Sequence, residues 1–96
     1  MAAWVIGNIV KVNDAAAFGE YQGLAGPTAG QYGGKVIAGG TKIEVGDGNW
    51  SPDGVIVIEF ESIAKAKEWY NSSEYNPLVS RRTSSTESHL IFVDGS

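Results

Sequence analysis

Two side chains in this sequence have the chemistry of an acid–base pair, Glu59 and His89. The imidazole of a histidine exchanges protons near neutral pH, and His89 is the only histidine. Glu59 interrupts the apolar run Gly54–Phe60, where a buried carboxylate needs a partner or a proton. Each also has a structural explanation, His89 as a partly exposed residue at a strand start and Glu59 as an ion-pair partner or helix cap. We expect both as the catalytic candidates if the protein is an enzyme.

Four further residues are candidates for binding a ligand. Arg81 and Arg82 are adjacent and suit a carboxylate or phosphate through paired hydrogen bonds, although such a pair also occurs at a solvated helix end. Trp50 lies in a polar loop, where it covers a pocket mouth, anchors the loop or meets a second copy. Tyr32 combines an apolar ring with a polar tip, as core tyrosines also do.

Several common sites are excluded by spacing. The pairs Gly39-Gly40 and Gly46-x-Gly48 lack the pattern of phosphate-binding loops. The turn Gly46–Gly54 has the composition of a calcium loop without its spacing or its final glutamate. The chain has no cysteine, hence no thiolate ligand and no disulfide. We expect neither a metal nor a cofactor.

The composition limits the class of protein. A chain of 96 residues fits one small domain, residues 1–96. Its net charge of -4 disfavours nucleic acid as a partner, because phosphate binding needs a basic surface. The N-terminus has no signal-peptide pattern, and apolar runs stay short of the ~20 residues that span a bilayer. We expect a cytoplasmic protein that binds neither nucleic acid nor membrane.

The first half of the chain predicts a strand, a helix and a second strand. The strand covers about Ala3 to Val12, and Asn13-Asp14 then provides a helix cap. An apolar stripe marks the helix, formed by Phe18, Tyr21, Leu24 and Ala25. Gly26-Pro27 predicts a kink or a restart from Pro27 to Tyr32, and Gly33-Gly34 ends the helix. Lys35 to Val45 is extended, with Gly39-Gly40 predicting either a hairpin turn or, as we favour, a bulge in one long strand.

The second half predicts a strand, helices and a final strand. Val55 to Phe60 is the third strand, and Ser62 caps a helix that Asn71-Ser72-Ser73 ends. A further helical turn begins at either Glu74 or Pro77. Thr83 to Ser88 is predicted as loop and His89 to Val93 as the last strand. This order predicts an α+β, ferredoxin-like β-α-β-β-α-β sandwich with a four-stranded antiparallel sheet.

Two strands are apolar on both faces, Ala3–Val10 and Gly54–Phe60. Side chains alternate between the faces of a sheet, and helices on one side cover only one set. A second copy packed sheet to sheet would cover the other. We therefore expect a homodimer.

The chain resembles a small bacterial family of the dimeric α/β-barrel superfamily, known mainly as a domain of unknown function. The resemblance covers the whole chain. Its most specific parts are the Trp-x-Pro-Asp turn at 50–53 followed by Ile58-Glu59-Phe60, and the aromatic-x-Ser-x-Glu-Tyr junction at 70–75. It implies a homodimeric barrel and no particular activity. Haem-degrading relatives use an Asn, a Trp and a His, of which only Asn8 has a counterpart here.

Two functions compete at this point. The first is binding of a small apolar or aromatic molecule in a cavity between sheet and helices, extending to cofactor-free isomerase or oxygenase chemistry by analogy with the superfamily. In that case Glu59, His89 and an arginine act as acid, base and anion anchor. The alternative is a non-catalytic homodimeric ligand carrier or interaction module.

Overall fold

The structure is a computed structural model that describes residues 2–95. Within them no helix is long and apolar enough to cross a membrane. In chain order the elements are β1 (Ala3–Val12), α1 (Ala15–Gln31), β2 (Lys35–Gly40), β3 (Gly54–Phe60), α2 (Ile63–Tyr70), a 3-10 turn (Asn76–Leu78), α3 (Val79–Ser85) and β4 (Thr86–Asp94).

The four strands form one antiparallel sheet in the order β2-β3-β1-β4. The first and third strands are central because both connections through helices cross over the sheet. This is the α+β, ferredoxin-like sandwich that the element order predicts. The helices lie on one face of the sheet.

The two faces of the sheet carry different side chains. On β1, Val5, Gly7 and Ile9 are buried beneath the helices, and we call this side the covered face. Trp4, Ile6 and Asn8 point to the other side, which we call the open face. The register carries the same alternation into the neighbouring strands.

A β-bulge at Val10 changes this alternation near the end of β1. Ile9 pairs with Ser88 and Lys11 pairs with Glu87, so Val10 is the extra residue. Lys11 is consequently exposed, and Val12 returns to the covered face opposite Thr86.

An aromatic cluster forms the core between the sheet and α2. Phe60, Trp69 and Tyr75 are almost fully buried. The rings of Trp69 and Tyr75 stack with centroids 4.0 Å apart, and the Trp69 indole donates to the Thr28 hydroxyl over 2.9 Å. The polar tip of a buried tryptophan is thereby satisfied.

Both predicted helix caps are confirmed. The Asp14 carboxylate accepts from the Ala17 amide at 3.0 Å, and the Ser62 hydroxyl accepts from the Lys65 amide at 3.1 Å. The prediction of a restart at Pro27 is wrong, because α1 continues to Gln31. Because Pro27 has no N–H, the Gly23 carbonyl lacks its usual helical donor. Both residues are exposed, so water can donate to this carbonyl instead.

The second strand is shorter than predicted. It ends at Gly40 (φ 144°), and residues 41–53 form an irregular connection rather than a hairpin or a long bulged strand. A register irregularity does occur, but it lies between Val36 and Ala38. Gly33 adopts a φ of 78° and ends α1 as predicted.

The polar run Thr83–Ser88 is not a loop. It completes α3 and begins β4, which therefore starts at Thr86 instead of His89. The hydroxyls in this run donate back to carbonyls one helical turn earlier, with Ser85 bonding Arg81 and Thr86 bonding Arg82 at 2.7 Å each. The hydropathy pattern does not predict these local hydrogen bonds, so the run looks like a polar loop.

Candidate functional site

A cavity of about 510 Å³ lies between α1 and the covered face of the sheet. This volume falls within the range of small-molecule sites, roughly 300–1,000 Å³. Exposed residues of β2 and α1 border it, so it opens to solvent beside the edge strand. Its walls include Val5, Ile9, Val12, Phe18, Ala25, Ile56, Trp69 and Leu90.

Small residues create the space. Gly7, Gly39 and Gly54 lie in the cavity floor where larger strand residues would fill it. A Cβ atom at Gly7 would approach the Ile56 side chain to 2.8 Å, so that side chain would have to shift. From above, α1 contributes Ala25 and Ala29. The cavity therefore results from small residues in both the sheet and α1.

Arg82 lines the cavity and is only 6% exposed. Its Nη1 donates to the Ser88 hydroxyl at 2.8 Å, while its buried Nε has no hydrogen-bond partner. Within residues 2–95 no carboxylate lies at ion-pair distance from it. A guanidinium remains charged at any accessible pH, so this cavity contains a permanent positive charge.

Tyr21 lies beside Arg82 in the cavity wall. Its hydroxyl shares a hydrogen bond of 2.8 Å with that of Tyr75. Burial raises the pKa of Tyr21 far above its usual range, the neighbouring Tyr75 raises it further, and Arg82 offsets part of the rise. Tyr21 is therefore a neutral hydroxyl, able to donate or accept a hydrogen bond.

Glu59 and His89 are not at this cavity. Both lie on the open face, since Glu59 pairs with Trp4 and His89 with Asn8. The Glu59 carboxylate accepts from the Trp4 indole at 3.1 Å. Trp4 and Asn8 are four residues apart, which separates the candidates by roughly 13 Å along the strands. The structure therefore does not bring the two together.

The predicted ligand-binding residues are divided in the same way. Of the four, Arg82 alone lines the cavity. Arg81 is exposed on α3. Trp50 is 60% exposed and donates to the Asn8 side chain at 3.2 Å, so it anchors its loop on the open face. Tyr32 donates to the Glu74 carboxylate at 2.9 Å, which raises the pKa of Tyr32 and lowers that of Glu74.

The site contains few groups that perform acid–base chemistry. Asp53 borders the cavity but already accepts from the Val12 amide at 2.9 Å. In the described part of the chain, no three metal-ligating side chains converge. What the arrangement offers is a mainly apolar enclosure with one cation, Arg82, and the hydroxyls of Tyr21 and Thr41. It suits binding and charge stabilisation better than proton transfer.

Tyr21 lines the cavity but was not among the predicted site residues. It belongs to the predicted apolar stripe of α1, which is typical of core residues. The stripe itself differs from expectation, because Leu24 is 49% exposed while Ala25, Thr28 and Ala29 are buried. The residue type of Tyr21 could have predicted a polar neighbour, since a hydroxyl on the buried side of a helix needs a hydrogen-bond partner.

Residues 2–96 match the family model described as "Domain of unknown function (DUF1330)". The chain belongs to this family. A search of curated protein sequences gives no match.

Solved structures share the fold of this DUF1330 protein. A protein of unknown function from Rhodopseudomonas palustris has 21% identity and a TM-score of 0.77, with 99% of this chain and 82% of that chain covered. SnoaB, a cofactor-independent oxygenase from Streptomyces nogalater, has 7% identity and a TM-score of 0.71, covering 99% and 93%. A dimeric ferredoxin-like protein of unknown function from Thermobifida fusca has 11% identity and a TM-score of 0.68, covering 98% and 91%.

Proposed function

We propose that this DUF1330 protein binds a small apolar or aromatic molecule in the cavity under α1. The observation that carries the proposal is a cavity of about 510 Å³ with mainly aliphatic and aromatic walls and a buried arginine, Arg82. An apolar ligand gains free energy by leaving water, and the buried polar group orients it.

Cofactor-free isomerase or oxygenase chemistry is the catalytic form of this proposal. It is favoured by the shared fold with SnoaB, described as a cofactor-independent oxygenase. Arg82 and Tyr21 would then stabilise negative charge on an enolate or phenolate substrate. Glu59 and His89, on the open face, would act on a molecule held there and not on one in the cavity.

A non-catalytic ligand carrier is the second candidate. It is favoured by the composition of the cavity wall, where the described residues include neither a histidine nor a glutamate and the carboxylate of Asp53 already accepts from the Val12 amide. A carrier needs an enclosure and an anchor, and both are in the wall. Turnover of a bound compound under oxygen would distinguish the enzyme from the carrier.

Binding of 2-naphthamide, a neutral aromatic probe, tests the proposed cavity. We expect saturable binding by calorimetry, lost in Ala25→Leu, whose added methyl groups project into the cavity from α1. The matched control is Ala16→Leu, which adds the same groups at an exposed position of the same helix. Absence of binding, or equal binding by both variants, would contradict the proposal.

We also infer that two copies pair through their open faces. The support is the exposed apolar surface there, with Ile91 53% and Val93 36% exposed, together with the dimeric state named for a structure of the same fold. Strand residues of this type on a solvent-facing sheet favour association. Pairing would also bury Ile6 of β1 and Val57 of β3, because Ile6 lies between Ile91 and Val57 on the same face.

A further inference from the structure

We propose that the ligand of the cavity carries a single carboxylate and that Arg82 binds it. This inference rests on the proposed function and specifies its ligand: a planar apolar body with one acidic group. It does not depend on whether the protein is an enzyme or a carrier.

The first argument is the cost of the charge. Arg82 is only 6% exposed, and a guanidinium group stays charged even in an apolar environment, where a charge is costly. Buried arginines are ordinarily paired with a carboxylate. Among residues 2–95, however, the ion pair within 4 Å is that of Lys65 with Glu68, at the surface. An anion from outside the chain would complete the pair.

The second argument is the donor that is left over. Ser88 holds Nη1 at 2.8 Å and is itself held by the Thr86 hydroxyl at 3.0 Å, so this side of the guanidinium is fixed. The buried Nε has no partner, although a buried donor left unsatisfied costs about 1–3 kcal/mol. Nε and a terminal nitrogen of arginine together bind the two oxygens of a carboxylate.

The third argument selects a carboxylate over a phosphate. One guanidinium balances one negative charge, and the polar groups beside it, the hydroxyls of Tyr21 and Ser88, are neutral. A doubly charged phosphate would leave an excess negative charge among Val5, Ile9 and Leu90, at a high desolvation cost. A carboxylate matches the single charge of Arg82, whereas the other charged group of the wall, Asp53, is exposed and accepts from the Val12 amide.

The test compares 2-naphthoate with 2-naphthamide, which have the same ring system and differ in charge. We expect wild type to bind naphthoate at least tenfold more tightly by calorimetry. Naphthoate should also shift the Nε–H resonance of Arg82 in a nitrogen–proton correlation spectrum. Assignment is simple because Arg81 and Arg82 are the only arginines of the chain.

Two variants complete the test. Arg82→Met keeps an apolar stem of similar length and should remove the preference for naphthoate while naphthamide binding persists. Arg81→Met, at the exposed neighbour, should keep the preference. Equal affinity of wild type for the two probes would overturn the carboxylate assignment and leave the cavity proposal standing. Failure of both probes to bind would overturn the proposed function. The wild-type comparison decides the matter even if Arg82→Met does not fold.

Discussion

The covered face and the open face of this sheet come from the same four strands but differ in what they enclose. On the covered face, small residues of the strands and of α1 border a cavity whose wall includes Arg82 of α3, an arginine with no acidic partner within residues 2–95. The open face has solvent-exposed apolar residues such as Ile91, and it holds the two residues whose chemistry suggests catalysis, Glu59 and His89. The comparison shows that a reactive residue type does not mark a site unless its face is also known.

The largest difference between the faces should be in stability. Trp69→Ala removes a 3%-exposed indole from the covered side and should lower the free energy of unfolding by about 3–5 kcal/mol, since a cavity remains. Trp50→Ala, on the open side, should cost less than about 1 kcal/mol, the value of its hydrogen bond. Urea denaturation measures both. Equal losses would contradict the assignment of the core to one face.

Association should depend on the open face alone. Ile91→Asp places a charge in the middle of the apolar surface and should weaken dimerisation at least 100-fold, about 2.7 kcal/mol, because burying the carboxylate is costly. Leu24→Asp, at an equally exposed position of α1, should leave it intact. Light scattering over a concentration series distinguishes the two. A wild-type monomer at every concentration would contradict pairing.

Alkaline pH should reveal the buried hydroxyl of the covered face. The pKa of Tyr21 is raised on folding, so its phenol ionises in the unfolded chain first. The stabilisation is complete below pH ~10, the ordinary tyrosine pKa, and declines above it by up to about 1.4 kcal/mol per pH unit. Tyr21→Phe should flatten the decline in denaturation measured between pH 9 and 11. An unchanged slope would indicate that Tyr21 is accessible.

The smallest effect should come from the open-face histidine. His89→Gln is expected to change naphthamide affinity less than twofold, because His89 pairs with Asn8 on the side opposite the cavity. Calorimetry with the Ala25→Leu variant as the positive control measures this. A tenfold or greater loss of naphthamide affinity would mean that the open face affects binding in the cavity.

Local signals in the sequence predicted much of the fold. Alternating apolar residues located β1 and β3, and Asp14 and Ser62 located the helix starts, because each depends on neighbours within a few residues. The end of α3 was missed because Ser85 and Thr86 hydroxyls, not apolar residues, stabilise it.

The site required information that no local pattern contains. Arg82 is equivalent to Arg81 in the sequence, and only the packing of α3 against α1 makes one buried and the other exposed. The faces of Glu59 and His89 follow from strand register, which a shift of one residue reverses. Residue type therefore made both arginines candidates, whereas the fold decided which of the two lines the cavity.

The bulge at Val10 acts as a frameshift in the inside–outside order of β1. With regular alternation after Ile9, Lys11 would point beneath the helices and Val12 away from them. The extra residue exchanges the two, so that Val12 lines the cavity and the lysine ammonium stays in water. If Val10 were kept but paired regularly, Lys11 would add a second cation to the covered side. The extra residue therefore leaves Arg82 as the one lysine or arginine in the cavity wall of the described chain.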